Sequence, residues 1–433
     1  MPFAQHHYPF ENTEHFDDQE FPADFICEGI DQTRGWFYSL MAVSTFLKGK
    51  APYKNVLVND LILDKHGKKM SKSKGNTVDP FTSPAMTWRS ARSPAWTPTK
   101  FDEDGLQDLV SKFFGTLKNV YNFFVLYSNQ DDIDPSKFDV PVAERPELDR
   151  WIISKFNRVV KEATEFMDSY DHMRATRAIQ NFVTEDLSNW YIRRARRRFW
   201  AEGMSDDKKA VYKTTYDVLV GVAELMAPFA PFIADEMYVK LTGNESVHLA
   251  YYPVADESLI DEKIEERMDL VRTLVGLGRG IREKERIKVR QPLSSVLVDG
   301  KYESVISDLV PLIQEELNIK NVDFENDLST YMNYELKPAF SVAGPVMGSD
   351  IKAFGEYLAK EDPAKVLAAG EMELELNGNK YTVGSDMIDV KINAKEGFAV
   401  AMENNVFVIL DTNLNQDLVD EGFAREVVSK VQQ

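Results

Sequence analysis

Through residues 101–286 apolar side chains return every third or fourth position, a pattern that packed helices bury and strands do not. Leu148, Ile152, Phe156, Val159, Ala163 and Phe166 trace one such stripe along a single helix face. Comparable stripes run through 106–126, 175–190, 211–238 and 264–281, the last two interrupted by Pro228, Pro231 and the glycines at 276, 278 and 280. The spacing predicts an antiparallel helical bundle.

The flanking regions read differently. Before residue 95, short apolar runs such as Val56-Leu57-Val58 and Leu61-Ile62-Leu63 lead into the turn-like Asp64-Lys65-His66-Gly67, which is strand followed by loop. The Leu/Met/Phe-rich run at 35–46 predicts a buried helix between two strands. Beyond residue 287, residues 371–383 alternate apolar and polar around an Asn377-Gly378 hairpin turn, and 398–410 supply another strand pair around Asn404-Asn405. Residues 301–433 hold 24 acidic residues against 11 Lys or Arg. The expected class is therefore α/β plus α in three parts: α/β over 1–95, a helical bundle over 96–286 and a small acidic α+β domain over 287–433. A chain of 433 residues is long enough for that many cores.

Charge and cysteine content exclude several classes. A net charge of −19 opposes nonspecific attraction to nucleic acid, so any RNA contact must use local basic surface. Cys27 is the single cysteine, so neither an internal disulfide nor a cysteine-rich zinc site can form, and the cytoplasm is the expected compartment. Cys27 itself reads as a small buried apolar residue or one near a substrate. His6-His7-Tyr8 and His66 lack partners at metal-ligand spacing, so no zinc site is expected. No basic leader with an apolar core and no membrane-spanning run is visible.

The chemistry concentrates in Lys69-Met70-Ser71-Lys72-Ser73, followed by Lys74-Gly75-Asn76. Lys69 and Lys72 bring point charge, while Ser71, Ser73 and nearby backbone N–H groups can donate to the same polyphosphate. Such a group stabilises charge building on departing pyrophosphate. The pentapeptide matches the nucleotide-binding loop of class I aminoacyl-tRNA synthetases, and the likeness continues through Gly75, Asn76, Asp79 and Pro80. Upstream, Glu28-Gly29-Ile30-Asp31-Gln32-Thr33-Arg34-Gly35-Trp36-Phe37 resembles the aminoacyl-adenylate segment of the isoleucyl-tRNA synthetases.

The resemblance implies a Rossmann-type catalytic portion and an anticodon-binding bundle. It implies that Lys69, Lys72, Ser71 and Ser73 bind ATP, with Lys69 and Lys72 catalytic and Mg²⁺ accompanying the phosphates. Glu28, Gly29, Asp31 and Gln32 would hold the aminoacyl-adenylate, although acidic residues in such a segment also serve as helix caps. Trp36 would wall the isoleucine pocket, or else be ordinary core. Isoleucine differs from valine by one methylene, worth only about 1–3 kcal/mol, which is why such enzymes edit.

Within the helices, Asn189-Trp190-Tyr191-Ile192-Arg193-Arg194-Ala195-Arg196-Arg197-Arg198-Phe199-Trp200 is the strongest basic cluster with aromatics. Arg193 with Arg197, and Arg194 with Arg198, share faces, so all four are candidates for tRNA phosphates. The alternative is pairing with neighbouring carboxylates or with a helix dipole. Residues 287–293, Ile-Lys-Val-Arg-Gln-Pro-Leu, resemble the family's junction into the terminal domain and read as a hinge.

Departures from the family accompany the match. A His-Ile-Gly-His-type tetrapeptide, the first half of the nucleotide fold and the editing domain are not in these residues, and prolines at 84 and 94 oppose the helix that relatives carry after the loop. The expectation is a C-terminal portion of an isoleucyl-tRNA synthetase, inactive alone and monomeric, with ATP, isoleucine and tRNA(Ile) as partners of the intact enzyme. A noncatalytic tRNA-binding module and an inactive truncated product are the alternatives.

Overall fold

Short helical turns over Pro2–Gln5, Thr13–His15 and Phe16–Glu20 precede a β–α–β unit. The computed structural model describes residues 2–76, 88, 91, 93–361, 366, 370–404 and 406–431, and these divide into two units, Met1–Ile264 and Glu265–Gln433.

In the first unit, β1 (Ala23–Gly29) and β2 (Tyr53–Asn59) pair in parallel, with Cys27 opposite Leu57 and Gly29 opposite Asn59. Parallel pairing requires a crossover, which contains α1 (Trp36–Lys48). Ile26, Phe37 and Leu40 are buried together, with Tyr53 and Val58 against them. The helix is less enclosed than its composition predicts: Tyr38, Val43, Phe46 and Leu47 are exposed. A sheet of two strands covers only the face that carries Phe37 and Leu40. Next, β3 (Ile62–Leu63) pairs in parallel with β4 (Thr99–Lys100), bracketing the lysine-serine loop.

Most of the proline-interrupted segment at 81–94 lies outside the described residues, but Trp88 within it is described. Its ring is fully buried, stacked on Phe113 at 4.7 Å and edge-on to Phe229 at 5.8 Å. Among the described residues there, this side chain packs on the helices, and the Ala91 carbonyl accepts a bond from Thr176 Oγ1 of the helix at 172–181.

The helices are α2 (Gly115–Gln130), α3 (Glu147–Asp168), α4 (His172–Asn181), α5 (Arg193–Trp200), α6 (Asp206–Met226) and α7 (Pro231–Thr242). Asp171 and Ser205 cap α4 and α6 by accepting backbone N–H bonds from Arg174 and Lys208. On α3 the expected Ile152, Val159 and Ala163 are buried, and so are Trp151, Ile153, Ser154, Asn157 and Val160. The two polar residues are satisfied: Ser154 Oγ accepts the Asp261 N–H and Asn157 Oδ1 the Asp256 N–H, each at 2.8 Å. Gly221 of α6 lets the two helices approach, since a Cβ there would stand 2.2 Å from the Phe156 ring. Between α4 and α5 the chain is π-helical over Phe182–Ile192. Its widened turn allows Phe182, Val183, Asp186, Leu187, Trp190 and Tyr191 all to be buried.

The second unit opens within α8 (Glu262–Lys284). Its largest sheet contains β5 (Leu293–Asp299), β6 (Ile319–Glu325), β7 (Phe398–Glu403) and β8 (Val406–Asp411) in the order β7-β8-β5-β6, parallel only between β5 and β6. The hairpin expected at Asn377-Gly378 joins Glu371–Leu376 to Asn379–Gly384, both turn residues having positive φ. The segment at 287–293 is pinned more firmly than a hinge would be. The buried Arg282 guanidinium donates to the main-chain carbonyls of Lys288, Gln291 and Asn318, and burial pushes its pKa down to about 10.

Trp88→Ala is expected to lower stability by about 3–5 kcal/mol in urea unfolding, and Trp88→Phe by less. A loss below about 1 kcal/mol for the alanine variant would contradict the anchoring role.

Candidate functional site

The first group of candidate residues sits where β1 ends. Glu28 and Gly29 close the strand, and Asp31 and Gln32 lie in the 3₁₀ turn Ile30–Arg34 that leads to α1. Carboxyl ends of parallel strands are where open α/β sheets bind ligands. Gln32 Oε1 accepts the Trp36 N–H at 2.8 Å, satisfying a free donor of the helix start, while Gln32 Nε2 donates to Asp31 Oδ2 at 3.2 Å. Gly29 serves by its size: a Cβ would press to 2.7 Å on the Asp31 carboxylate. Glu28 and Asp31 are exposed, and Trp36 keeps 40% of its surface open. Trp36 is therefore not closed core. Cys27 Sγ accepts from Asn59 Nδ2 at 3.1 Å and is half-buried.

The lysine-serine loop is held from both ends by two residues that the phosphate reading passed over. Asp64 Oδ1 accepts the backbone N–H groups of His66 at 3.0 Å and Lys68 at 2.8 Å, and its Oδ2 accepts Asn76 Nδ2 at 2.9 Å. Asn76 Oδ1 in turn accepts the Ser71 N–H at 3.0 Å. The Asn76 hydrogen bond, with help from the Lys68 amide, holds the Asp64 carboxyl below the usual aspartate range. The signal was available: Asp ahead of Lys-His-Gly is an Asx-turn pattern. Within this frame Lys69 and Ser73 are exposed, Ser71 and Ser73 hydroxyls lie 3.1 Å apart, and Lys72 opens the 3₁₀ turn Lys72–Lys74. Among the described residues no hydrogen bond or ion pair joins this loop to the turn after β1.

The basic run on α5 is divided by a buried carboxylate. Asp149 on α3 is completely buried, and Arg198 grips it with two bonds, Nη1 to Oδ1 at 2.6 Å and Nη2 to Oδ2 at 2.7 Å. Tyr191 OH donates to the same Oδ1 at 2.8 Å, and Arg198 Nε donates to Asp207 at 3.0 Å. Burial opposes the Arg198 charge, but the bonds to Asp149 outweigh it and raise the pKa; burial and then the Asp149 charge push the Tyr191 phenol well up. Arg198 thus departs from its expected place among phosphate ligands, because its guanidinium is committed inward. Arg193 and Arg197 are exposed and Arg194 is half-buried, each with an intramolecular interaction of its own. Burial, with Arg194 nearby, lowers the Arg193 pKa.

No group of three or more His, Cys, Asp or Glu side chains among the described residues is arranged to hold a metal. No helix among them is long and apolar enough to cross a membrane.

Residues 1–85 match the family model "tRNA synthetases class I (I, L, M and V)", and residues 149–297 match "Anticodon-binding domain of tRNA ligase". The chain is 42% identical over 449 residues to the isoleucine–tRNA ligase of Porphyromonas gingivalis (strain ATCC BAA-308 / W83), covering 100% of this chain and 39% of that protein. It is 44% identical over 460 residues to the isoleucine–tRNA ligase of Clostridium novyi (strain NT), covering 100% of this chain and 43% of that one. The chain therefore spans about two-fifths of the length of these curated relatives. Among solved structures, a Mycobacterium tuberculosis methionyl-tRNA synthetase with methionyl-adenylate is 18% identical at a TM-score of 0.45, covering 54% of this chain and 47% of that one, too slight a likeness to specify a fold.

Arg198→Ala is expected to destabilise the first unit by about 3–5 kcal/mol in denaturant unfolding, since it leaves Asp149 buried and unpaired. The double change Asp149→Leu with Arg198→Met is expected to recover much of that loss. Equal instability of the single and double variants would contradict the pairing.

Proposed function

Because the chain belongs to the isoleucine–tRNA ligases of the class I tRNA synthetases, we infer that it supplies the nucleotide-closing part of an isoleucine-activating site together with a helical surface for tRNA(Ile). In that reaction the isoleucine carboxylate attacks the α-phosphorus of ATP and pyrophosphate leaves. A terminal hydroxyl of tRNA(Ile) then attacks the carbonyl carbon of the adenylate, and AMP leaves.

The protein's largest contribution to the first step is charge placed where charge grows. Lys69 and Lys72 meet the departing phosphates, which arrive with their magnesium, and Ser71 and Ser73 donate hydrogen bonds. Glu28 and Asp31 face the α-ammonium or ribose hydroxyls of the adenylate, Gln32 holds the turn that presents them, and Trp36 lines the side-chain pocket. On this reading residues 1–95 are part of a Rossmann-type catalytic domain, 96–286 the anticodon-binding bundle and 287–433 a terminal α+β domain. The observation that carries it is the loop itself: Lys69-Met70-Ser71-Lys72-Ser73 lies inside the class I match, and Asp64 and Asn76 brace it from either side.

A second reading, a noncatalytic tRNA-binding module, is favoured by the exposed Arg193 and Arg197 on the helical unit. The two separate in one pair of assays. These 433 residues alone are expected to give no appreciable isoleucine-dependent pyrophosphate exchange, for want of a His-Ile-Gly-His-type tetrapeptide in the sequence. They are expected to bind tRNA(Ile) with a salt dependence that weakens when Arg193, Arg194 and Arg197 are changed to Gln. Robust exchange would contradict the division of labour, and failure to bind tRNA would contradict the helical surface.

A further inference from the structure

The clamp on Arg198 fixes which way the rest of α5 faces. Ala195 and Phe199 point into the core, fully buried, while Arg193, Arg196, Arg197 and Trp200 fall at i, i+3, i+4 and i+7 along one outward face. All four are exposed, Trp200 by 54% of its surface. The nearby Trp190, Tyr191 and Phe199 are buried, so the same run of sequence can place aromatic rings in the core and does so for three of its four. Trp200 is the last residue of α5 and Ala201 is extended, so no following helical turn covers the indole. Arg196, outside the set of arginines that the sequence motif first suggested, sets its guanidinium 5.9 Å from the centre of the Phe123 ring on α2. That contact orients a planar cation beside the stripe.

Arginines along a helix in an otherwise strongly acidic chain suit a polyanion. An exposed indole at the end of the same stripe suits one whose bases are unstacked, since single-stranded RNA is held by phosphate contacts together with stacking on aromatic side chains. We propose that Trp200 is a stacking platform for an unpaired base of the bound tRNA, with Arg193, Arg196 and Arg197 tracking the adjacent phosphates. The proposal rests on the tRNA-binding reading above and adds to it the chemistry of one subsite. It makes Trp200 a determinant of loop recognition and Arg196 a phosphate ligand. A fully paired duplex offers phosphates but no free base face, so it would use the arginines and leave the indole idle.

The test compares two probes, a tRNA(Ile) transcript and a short blunt RNA duplex, binding to the full 433-residue chain across a salt series. Trp200→Ala is expected to weaken the transcript about tenfold, within the range that one base stack supplies, and to leave the duplex within about twofold. The slope of log affinity against log salt should stay unchanged. Trp200→Phe should stay within about threefold of the unaltered chain on the transcript. Arg196→Gln should weaken both probes and reduce the salt slope by about one. Thermal unfolding of each variant reports whether the helix survives the change. Transcript binding that is indifferent to Trp200→Ala, or equal losses on both probes, would overturn the stacking role while leaving the tRNA reading intact. No binding of the transcript by the unaltered chain would overturn both.

Discussion

One carboxylate decides how the helical unit presents itself. Asp149 is completely buried, and a charge without water must be matched by partners that complete its hydrogen bonds. Arg198 from α5 meets both of its oxygens, Tyr191 from the π-helical stretch meets one of them, and Asp207 at the start of α6 takes the remaining reach of Arg198. Three successive segments, the π-helical stretch, α5 and the start of α6, are thereby fixed to α3, whose Asp149 lies 42 residues before Tyr191. Such a pair contributes little net stability over an apolar replacement, but losing one partner is costly, so its main effect is on geometry. It sets the rotation of α5, and that rotation selects the arginines that look outward.

The same division between apolar burial and polar placement recurs elsewhere. In the lysine-serine loop, Asp64 and Asn76 accept hydrogen bonds from backbone donors and leave Lys69 and Ser73 at the surface. At the entry to the terminal unit, Arg282 gathers three carbonyls around residues 288–291 and 318. Trp88 supplies the contrasting case: its aromatic ring, stacked on Phe113, is placed by apolar contact area. Apolar cores give these units their stability, and a few well-satisfied polar groups position the functional surface.

Much of this was legible in the sequence, for physical reasons that can be named. The stripe on α3, the Asn377-Gly378 turn and the crossover between β1 and β2 are local patterns, each set by residues within a few positions of one another. Arg198 could not be read this way, because its partner Asp149 lies 49 residues earlier and periodicity carries no record of a distant carboxylate. The π-helical stretch escaped for a related reason, since its buried residues recur near every fourth position and mimic an ordinary helix. Ser154 and Asn157 lie outside the predicted apolar stripe, yet they are buried because the chain at 256–261 folds back to donate to them. Glu28, Gly29, Asp31 and Gln32 come together simply because they are neighbours, and only Gln32 reveals a second task, capping α1.

The inward pull of Asp149 fixes one defined face of α5 outward, the face proposed to meet tRNA. Ultraviolet crosslinking of the bound transcript, followed by mass spectrometric mapping of the modified peptides, measures that face directly. Crosslinks are expected at Trp200 and along Arg193, Arg196 and Arg197, with none at Phe199 or Arg198. Crosslinks confined to other surfaces, with α5 unmodified in a complex that binds, would contradict that expectation.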